Sequence, residues 1–281
     1  MMSASQNKKM DNNRSVWVMG LPRSGTSWLG QIFDSHPDVR FKLSPLFSYA
    51  FKDALNNDST REEIEQFLQE VYHREDSFLD QVDRRLQGDY PTFETKNIDP
   101  ACLVIKENRY HNLIKHLLAA CDKLQVVYIV RNPCGAIHSW LSCRNEFPEG
   151  AKPMEQWRSG AIRKKGKQEE FWGFDDWKLL TAMYQDMSRL EPDRVKVISY
   201  EQLVSNVVNT VTDMFSFAGL GMNSQTLSFL RESQLSTNKE SYAVYKEPGV
   251  AQRWQNELDP QIISAITKDL AGSELEHYLH Y

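Results

Sequence analysis

The sequence predicts an α/β protein in which helices cover both faces of a single parallel β-sheet. Four short apolar segments have the character of buried strands, at residues 15–19, 101–105, 125–130 and 195–199. Three of them are continuously apolar rather than alternating, which is typical of parallel strands that are covered on both faces. Segments with helical spacing lie between them, so strand and helix alternate along the chain, as in the α/β class.

Apolar residues spaced three and four apart predict the helices between these strands. After the first strand, such spacing appears at Ile64, Phe67, Leu68 and Val71. After the second strand it appears at Leu113, Ile114 and Leu117, and after the fourth it runs through residues 204–218. Residues 260–270 predict one more helix near the end of the chain.

Length and composition are those of one globular domain. The chain has 281 residues, of which 41% are apolar and 25% are charged. A chain of this kind buries roughly 70 to 75% of the surface that its unfolded form exposes. We predict one domain over residues 15–281 behind a disordered tail at residues 1–14. The net charge of −5 excludes a general attraction to nucleic acid or anionic membranes, so an anion site must be local.

Cysteine content and hydropathy predict a cytoplasmic protein. Four cysteines without a CxxC pair are too few for a disulfide framework in a chain of this size; they are Cys102, Cys121, Cys134 and Cys143. The first 14 residues lack the apolar stretch of a signal peptide. The longest apolar run, residues 126–130, is far shorter than the ~20 residues that span a bilayer, so we predict no membrane anchor.

Residues 146–168 are predicted to leave the core as a mobile excursion. The segment holds two prolines, three glycines and the basic run Arg163-Lys164-Lys165-Gly166-Lys167. A solvated loop is the favoured interpretation, and an anion-binding patch is the alternative.

A glycine-bearing loop directly follows the first predicted strand. It reads Gly20-Leu21-Pro22-Arg23-Ser24-Gly25-Thr26-Ser27-Trp28 and leads into an amphipathic helix. Unpaired N–H groups and the dipole at a helix N-terminus favour an anion there, so the loop predicts a phosphate cradle. Its spacing resembles GxxxxGK[ST], but Thr26 replaces the lysine and Arg23 supplies the cation, which disfavours a Mg-ATP enzyme. A plain strand-to-helix turn with a Ser or Thr cap is the alternative.

A second anion site is predicted after the third strand. Arg131 lies at the carboxyl end of that strand, where open α/β sheets bind ligands, and Ser139 follows about two helical turns later. Both side chains can face one phosphate. An arginine at the end of a strand is as often part of a structural ion pair as of an anion site. This motif therefore indicates an anion site only in combination with the first loop.

Together these motifs resemble the two nucleotide-binding signatures of the sulfotransferases that use 3′-phosphoadenosine 5′-phosphosulfate (PAPS). The signatures are GLPRSGTSW after the first strand and VYIVRNPxxAxxS after the third. Tyr200-Glu201-Gln202-Leu203, and Gly249-Val250 followed by Trp254, are similar to later landmarks of the family, so the resemblance covers residues 15–258. Because its loop contains an arginine, the chain is more similar to the carbohydrate-type and bacterial branches than to the cytosolic phenol and steroid branch.

The resemblance implies a P-loop-type nucleotide-binding fold that transfers a sulfuryl group from PAPS to the hydroxyl or amine of a small-molecule or carbohydrate acceptor. It implies that the 5′-phosphosulfate binds Arg23, Ser24, Gly25, Thr26 and Ser27. It further implies that Trp28 and Tyr200 contact the adenine, and that Arg131 and Ser139 hold the 3′-phosphate. Many members have an Arg-Lys-Gly strap beside that phosphate. Because this chain reads Glu247-Pro248-Gly249, Lys246 or Arg253 would have to compensate.

Sulfuryl transfer depends on positioning and on cations that neutralise developing charge. Arg23 is one such cation, and Lys106 stands where the family has its transferring lysine. The acceptor hydroxyl must also lose a proton to a base. Asn108 occupies the place of the histidine base of the phenol and steroid branch and cannot act as one. Glu107 is therefore the predicted base and His111 the alternative.

The prediction for Glu107 depends on where the second strand ends. Side chains alternate between the two faces of a strand, so Glu107 and Lys106 point apart if both belong to it. We expect the chain to have curled into a loop at this point, which would bring both side chains to the same site.

Metal and kinase chemistry are both disfavoured. His277 and His280 lie three apart, but no ligand set at metal spacing accompanies them, so we predict no metal. A P-loop kinase for small molecules would need the missing loop lysine. An inactive nucleotide-binding module is a third alternative, supported only by Asn108 and by the Glu247-Pro248 pair. The aromatic run at residues 171–177 is either an acceptor platform or, more commonly, core packing.

Overall fold

Five parallel strands form one sheet in the computed structural model, which describes residues 14–235 and 251–280. The strands are β1 (Arg14–Met19), β2 (Val39–Leu43), β3 (Cys102–Glu107), β4 (Leu124–Val130) and β5 (Val195–Ser199), in the order β2-β3-β1-β4-β5. Every adjacent pair is parallel. The predicted α/β class and all four predicted strands are confirmed.

Thirteen α-helices lie within the described residues. They are α1 (Thr26–Asp34), α2 (Arg61–His73), α3 (Val82–Leu86), α4 (Ile114–Ala120), α5 (Pro133–Leu141), α6 (Pro153–Gln156), α7 (Ala161–Lys164), α8 (Gly173–Leu190), α9 (Tyr200–Ser205), α10 (Val207–Phe217), α11 (Ser224–Leu235), α12 (Trp254–Glu257) and α13 (Pro260–Leu270). The predictions of α2, α4 and α13 are confirmed. The helix predicted over residues 204–218 is divided at Asn206 into α9 and α10. Of the predicted tail, only Arg14 is described, and it begins β1.

The two faces of the sheet bury separate apolar layers. Val16 and Val18 face α1 and α10, while Trp17 and Met19 face α4, α5 and α8. Each fully buried side chain of this size contributes about 1.5–3 kcal/mol to the stability of the folded state, because its apolar surface is removed from water. No helix in the part of the chain that the structure describes has the length and apolar character that a membrane span requires.

Strand β2 was not predicted, because its sequence VRFKL places charged residues between apolar ones. It is an edge strand in which Lys42 is nevertheless buried. The Lys42 Nζ donates to Asp80 Oδ1 at 2.6 Å and to the carbonyl of Arg74. A buried lysine is rare unless it is paired, so Lys42 is not expected inside a strand. Its charge interrupts the apolar residues of β2, and the sequence therefore shows no apolar run there.

Strand β3 continues two residues beyond the predicted segment. Lys106 is paired with Val18 of β1, and Glu107 is paired with Met19. The expectation that the chain curls into a loop before Glu107 is therefore wrong. The Lys106 side chain lies against Gly30 of α1, and alternation sends Glu107 to the opposite face of the sheet.

Residues 146–168 are more ordered than a plain solvated loop, because they include α6 and α7. Arg163 Nη2 lies 2.7 Å from Glu146 Oε2, and Lys164 Nζ lies 2.9 Å from Asp176 Oδ2. These pairings leave little support for an anion-binding patch. Residues 165–167 are exposed, as the solvated interpretation predicts.

Candidate active site

The loop between β1 and α1 forms a cradle at the carboxyl edge of the sheet. Arg23 and Gly25 adopt φ angles of 75° and 96°, and the N–H of Ser24 between them donates to the carbonyl of Leu21 at 3.1 Å. A Cβ atom on Gly25 would lie 2.6 Å from the Tyr200 ring, so both backbone angle and space require glycine there. Left-handed residues of this kind turn backbone N–H groups into a concave, anion-binding surface.

The N-terminus of α1 is left open by the side chains around it. Gly25 supplies no side-chain cap and the first turn carries no acidic residue, which removes the alternative of a Ser- or Thr-capped turn. The N-terminus of α5 is closed, because Asn132 Oδ1 accepts from the N–H groups of Cys134 at 3.0 Å and Gly135 at 3.4 Å. Only α1 of these two helices therefore offers free N–H groups to an anion.

The two sequence motifs meet in space. Arg131 Nη1 donates to the Arg23 carbonyl at 3.1 Å, and Arg23 Nε donates to Ser139 Oγ at 3.4 Å. Arg131 is buried, and this burial lowers the pKa of its guanidinium from the ordinary value. The Arg131 Cζ atom lies 4.8 Å from the centre of the Tyr200 ring.

Two buried polar atoms of this cluster have no hydrogen-bond partner within the described chain, namely Ser24 Oγ and Arg131 Nε. A buried polar atom without a partner costs about 1–3 kcal/mol, and more when it is charged. Both atoms belong to residues that sequence analysis predicts to hold the nucleotide. The residues present therefore fit an anionic ligand that completes their hydrogen bonding.

Aromatic side chains border the loop. The rings of Trp28 and Tyr200 lie 6.4 Å apart at 76°, and Trp28 Nε1 donates to Ser233 Oγ at 3.1 Å. Tyr200 begins α9, whose N-terminus is capped by Ser199 Oγ. These rings stand beside the cradle, where a flat base could pack against them.

Lys106 provides a buried cation beside the loop. Burial lowers the pKa of its ammonium to about 8, an effect that Arg109 and Arg23 add to and Glu107 and Glu146 oppose. The backbone N–H of Ser44, just after β2, donates to the Lys106 carbonyl at 2.9 Å. The position of Lys106 is thus fixed from both neighbouring strands.

The two predicted bases are both buried but differ in what they contact. Glu107 Oε1 accepts from the N–H groups of Asn108 at 3.0 Å and Arg109 at 3.2 Å, while Oε2 has no partner in the described residues. Burial raises the pKa of this carboxyl. His111 Nδ1 lies 2.8 Å from the Tyr184 hydroxyl, and burial lowers the pKa of the imidazole to about 3. His111 is therefore held neutral inside the core.

The remaining predicted residues lie at the margins of the cluster. Arg253 immediately precedes α12, which packs on α5 through the 3.1 Å contact between Glu257 Oε2 and His138 Nε2. The strap positions Lys246 and 247–249 lie outside the described residues. Trp172, Phe174 and Trp177 are buried, as core packing predicts. No group of three or more potential metal ligands occurs among the residues described.

Sequence reasoning missed two ion pairs near Lys106. Arg109 Nε lies 2.6 Å from Glu170 Oε1, and the Arg163–Glu146 pair lies close enough for Glu146 to affect the pKa of Lys106. The partners are far apart along the chain, and no local pattern marks them. The one available signal was the position of Arg109, three residues after Lys106.

The sequence of this chain matches a known protein family. The family model described as "Sulfotransferase family" matches residues 15–224, which is most of the chain and includes both motifs. The chain belongs to the sulfotransferase family. None of the curated proteins matches this sulfotransferase in sequence.

Solved structures share the fold of this sulfotransferase at low sequence identity. Mouse sulfotransferase SULT7A1 complexed with PAP has 16% identity and a TM-score of 0.53, covering 98% of this chain and 93% of that chain. A sulfotransferase from Alicyclobacillus acidocaldarius has 16% identity and a TM-score of 0.51, covering 94% and 95%. Retinol dehydratase in complex with androsterone and inactive cofactor PAP has 14% identity and a TM-score of 0.51, covering 93% and 82%.

Proposed function

We propose that this sulfotransferase transfers the sulfuryl group of PAPS to a hydroxyl group, or an amine, of a small-molecule acceptor. The observation that carries the proposal is the junction of two anion sites, in which Arg131 donates to the Arg23 carbonyl and Arg23 donates to Ser139. A donor with separate 3′ and 5′ charged groups needs two such sites. A nucleoside triphosphate needs one site and a magnesium ligand, and the loop lacks the lysine that accompanies that chemistry.

The positions of the side chains support the nucleotide roles that we propose. The N–H groups of the loop, with Arg23, Ser24, Gly25, Thr26 and Ser27, bind the 5′-phosphosulfate. Arg131 and Ser139 bind the 3′-phosphate, with Arg253 contributing from the start of α12. Trp28 and Tyr200 pack against the adenine. Ser24 Oγ and Arg131 Nε, which have no partner in the part of the chain that the structure describes, support these assignments, because a bound anion supplies a partner for each.

The transfer step is assigned to Arg23, Lys106 and Glu107. The acceptor oxygen bonds to sulfur while the bond from sulfur to the bridging oxygen breaks, and that oxygen keeps the electron pair. Arg23 and Lys106 neutralise the growing negative charge. We propose Glu107 as the group that takes the acceptor proton, because its Oε2 has no partner among the described residues and burial raises the pKa of its carboxyl. Since Glu107 points to the face of β3 opposite Lys106, the acceptor hydroxyl would have to reach it past the end of the strand.

A small-molecule acceptor is favoured over a carbohydrate. The two retinol dehydratase structures with this fold hold androsterone and retinol, which are small molecules. A cytoplasmic location is part of the proposal. The free, buried state of all four cysteines supports a reducing compartment.

Calorimetry with the full chain tests the proposed nucleotide. Adenosine 3′,5′-bisphosphate (PAP) is titrated in the presence of EDTA, and ATP is titrated with magnesium. We expect PAP to bind without metal and ATP with magnesium to bind much more weakly. Tighter binding of the ATP–magnesium complex would overturn the proposal in favour of a kinase.

A further inference from the structure

A buried histidine that the proposed transfer does not use lies beneath the start of the cradle. His111 begins the 3₁₀ turn (His111–Leu113) that follows β3, and its side chain is buried. Its Nδ1 lies 2.8 Å from the hydroxyl of Tyr184 on α8, which is fully buried. Burial lowers the pKa of the imidazole to about 3, so the ring is neutral near neutral pH. Such a ring is suited to holding a neighbouring group by a hydrogen bond.

Three aromatic side chains fix the orientation of this imidazole. Its centre lies 5.0 Å from the ring centre of Phe171, 5.6 Å from that of Tyr184 and 6.2 Å from that of Tyr128, with interplanar angles of 78–85°. The rings of Tyr128 and Tyr184 stack on each other at 3.9 Å. Edge-to-face and stacked contacts of this kind are favourable geometries for aromatic rings. His111 therefore extends from the end of β3 to the side chain of Tyr128 on β4.

That path passes the end of β1, the strand that leads into the cradle. β1 lies between β3 and β4, and its last residue, Met19, is paired with Glu107 on one side and with Tyr128 on the other. The next residue, Gly20, is tightly enclosed, because a Cβ atom there would lie 2.7 Å from the Thr26 methyl group. Since Thr26 is the first residue of α1, a shift of Gly20 displaces the N-terminus of that helix.

The hydrogen-bond partners of the imidazole indicate which nitrogen carries its proton. The contact with Nδ1 is the one hydrogen bond of the buried Tyr184 hydroxyl among the described residues, so the hydroxyl donates there and the proton lies on Nε2. Nε2 is buried and completes no hydrogen bond with the residues that the structure describes. Backbone groups of Gly20 and Asn108 act against the lowering of the pKa of His111, as acceptors beside the ring do.

We propose that His111 is a positioning residue that supports the cradle from beneath, with its Nε2–H group donating to the Gly20 carbonyl when the nucleotide is bound. That bond gives the buried N–H group a partner, so a nucleotide that draws the loop onto the ring is bound more tightly. The inference rests on the proposed binding of PAPS at the cradle. It gives His111 a role in nucleotide affinity in place of a role in proton transfer.

Two substitutions that keep different parts of the imidazole test the proposal. His111→Phe keeps a ring of similar size and loses both nitrogens, whereas His111→Gln loses the ring and keeps an N–H group near the position of Nε2. In calorimetry of the full chain with PAP, we expect His111→Phe to bind about tenfold more weakly and His111→Gln to stay within about threefold of the wild type. A role in packing alone would give the opposite ranking.

A pair of tyrosine variants separates support of the cradle from general stability. Tyr184→Phe removes the hydroxyl that holds His111 and should weaken PAP binding about threefold. Tyr72→Phe is the matched control, because the buried Tyr72 hydroxyl donates to the Pro100 carbonyl at 2.8 Å, ahead of the amino end of β3. Both variants should lower the melting temperature, and only Tyr184→Phe should change PAP affinity. This pair tests the proposal even if the substitutions of His111 prevent folding.

The pH dependence of PAP affinity provides an independent measurement. The titratable side chains that face the imidazole are Tyr128 from β4 and Tyr184 from α8, and burial raises the pKa of both hydroxyls. The ring and its neighbours therefore stay neutral, and the ratio of wild-type to His111→Phe affinity should be constant from about pH 6 to pH 9. A ratio that grows as the pH falls would show that a charged imidazole attracts the phosphates, and would overturn the proposal.

Failure of this inference is distinct from failure of the proposed function. If the wild type does not bind PAP, the proposed function is wrong and the role of His111 is wrong with it. If the wild type binds PAP and His111→Phe binds it equally well, the nucleotide site stands and the support from His111 is refuted. Equal PAP affinity of Tyr184→Phe and Tyr72→Phe would refute it as well.

Discussion

The cluster around Arg131 should make the protein bind nucleotides with a 3′-phosphate more tightly than nucleotides without one. Its guanidinium is buried, and its Nε has no partner among residues 14–235 and 251–280, so within that part of the chain a hydrogen bond to a phosphate replaces no existing one. A charge-assisted hydrogen bond contributes about 1.5–3 kcal/mol, and the contacts from Arg131 and Ser139 together contribute about 3–6 kcal/mol. The helix dipole at α1, worth about 0.3–1 kcal/mol, acts on the 5′ group and is the same for both nucleotides compared. PAP should therefore bind ~10²–10⁴ times more tightly than AMP.

The assay is calorimetry of PAP and AMP at one pH and salt concentration, with the wild type and with Arg131→Met. The methionine keeps most of the buried volume and removes the donors, so the variant should lose most of its preference for PAP while still binding AMP. Ser139→Ala should lose a smaller part of that preference. The control is Arg189→Met, which removes an exposed arginine that pairs with Glu274 far along α8. Equal affinity of the wild type for the two nucleotides, or an equal loss for both in Arg131→Met, would refute the assignment.

Further predictions concern the transfer step and the loop. Lys106→Ala should lower turnover strongly and leave PAP affinity within a few-fold, since this charge matters most when the bridging oxygen becomes anionic; an unchanged turnover in a sulfate-transfer assay would contradict its role. Because burial lowers the pKa of Lys106 to about 8, its charge is lost as the pH rises through that value, so the pH profile of turnover should fall on the alkaline side, and Lys106→Arg should move that fall to higher pH. Glu107→Gln should lower turnover by ~10² or more with PAP affinity retained, whereas the matched variant Glu146→Gln should lower turnover less. A larger loss of turnover in Glu146→Gln than in Glu107→Gln would identify Glu146 as the base. Gly25→Ala should abolish PAP binding, because the new methyl group meets the Tyr200 ring at 2.6 Å and the φ of 96° strains any other residue; calorimetry with wild-type affinity would show that the loop can rearrange.

The parts of the fold that the sequence predicts are those with a strong local signal. Continuous apolar runs predicted β1, β4 and the first four residues of β3, and the capped, strongly periodic helix α13 was predicted at its observed bounds. Local signals fail where a charge is buried. Lys42 interrupts the apolar residues of β2, so this strand was not predicted. Lys106 and Glu107 end the apolar run of β3, so its last two residues were not predicted either. Short helices such as α6 and α7 hold four residues each, too few to show a period.

The candidate site likewise has one part that a local sequence signal predicts and another part that it does not. The cradle of α1 could be predicted, since a glycine loop before a helix creates its own anion site whatever surrounds it. The ion pairs near Lys106 could not be predicted, because the Arg109–Glu170 pair joins residues 61 positions apart. Such a pair depends on which loops the fold brings together, and the sequence carries no periodicity that reports it.

Strand order explains why one loop can serve both binding and transfer. β1 lies between β3 and β4, so the loop that follows β1 is flanked by the residues that end these two neighbours. Arg131, just after β4, stands on one side, and Lys106, near the end of β3, stands on the other. Ligands of open α/β sheets bind at the carboxyl edge where the strand order reverses, and the chain here turns from the β2–β3 side of β1 to the β4–β5 side. The topology thus separates the residues proposed to anchor the 3′-phosphate from those proposed to act on the transferred group. For this reason we expect substitutions at Arg131 to appear in nucleotide affinity and substitutions at Lys106 in turnover.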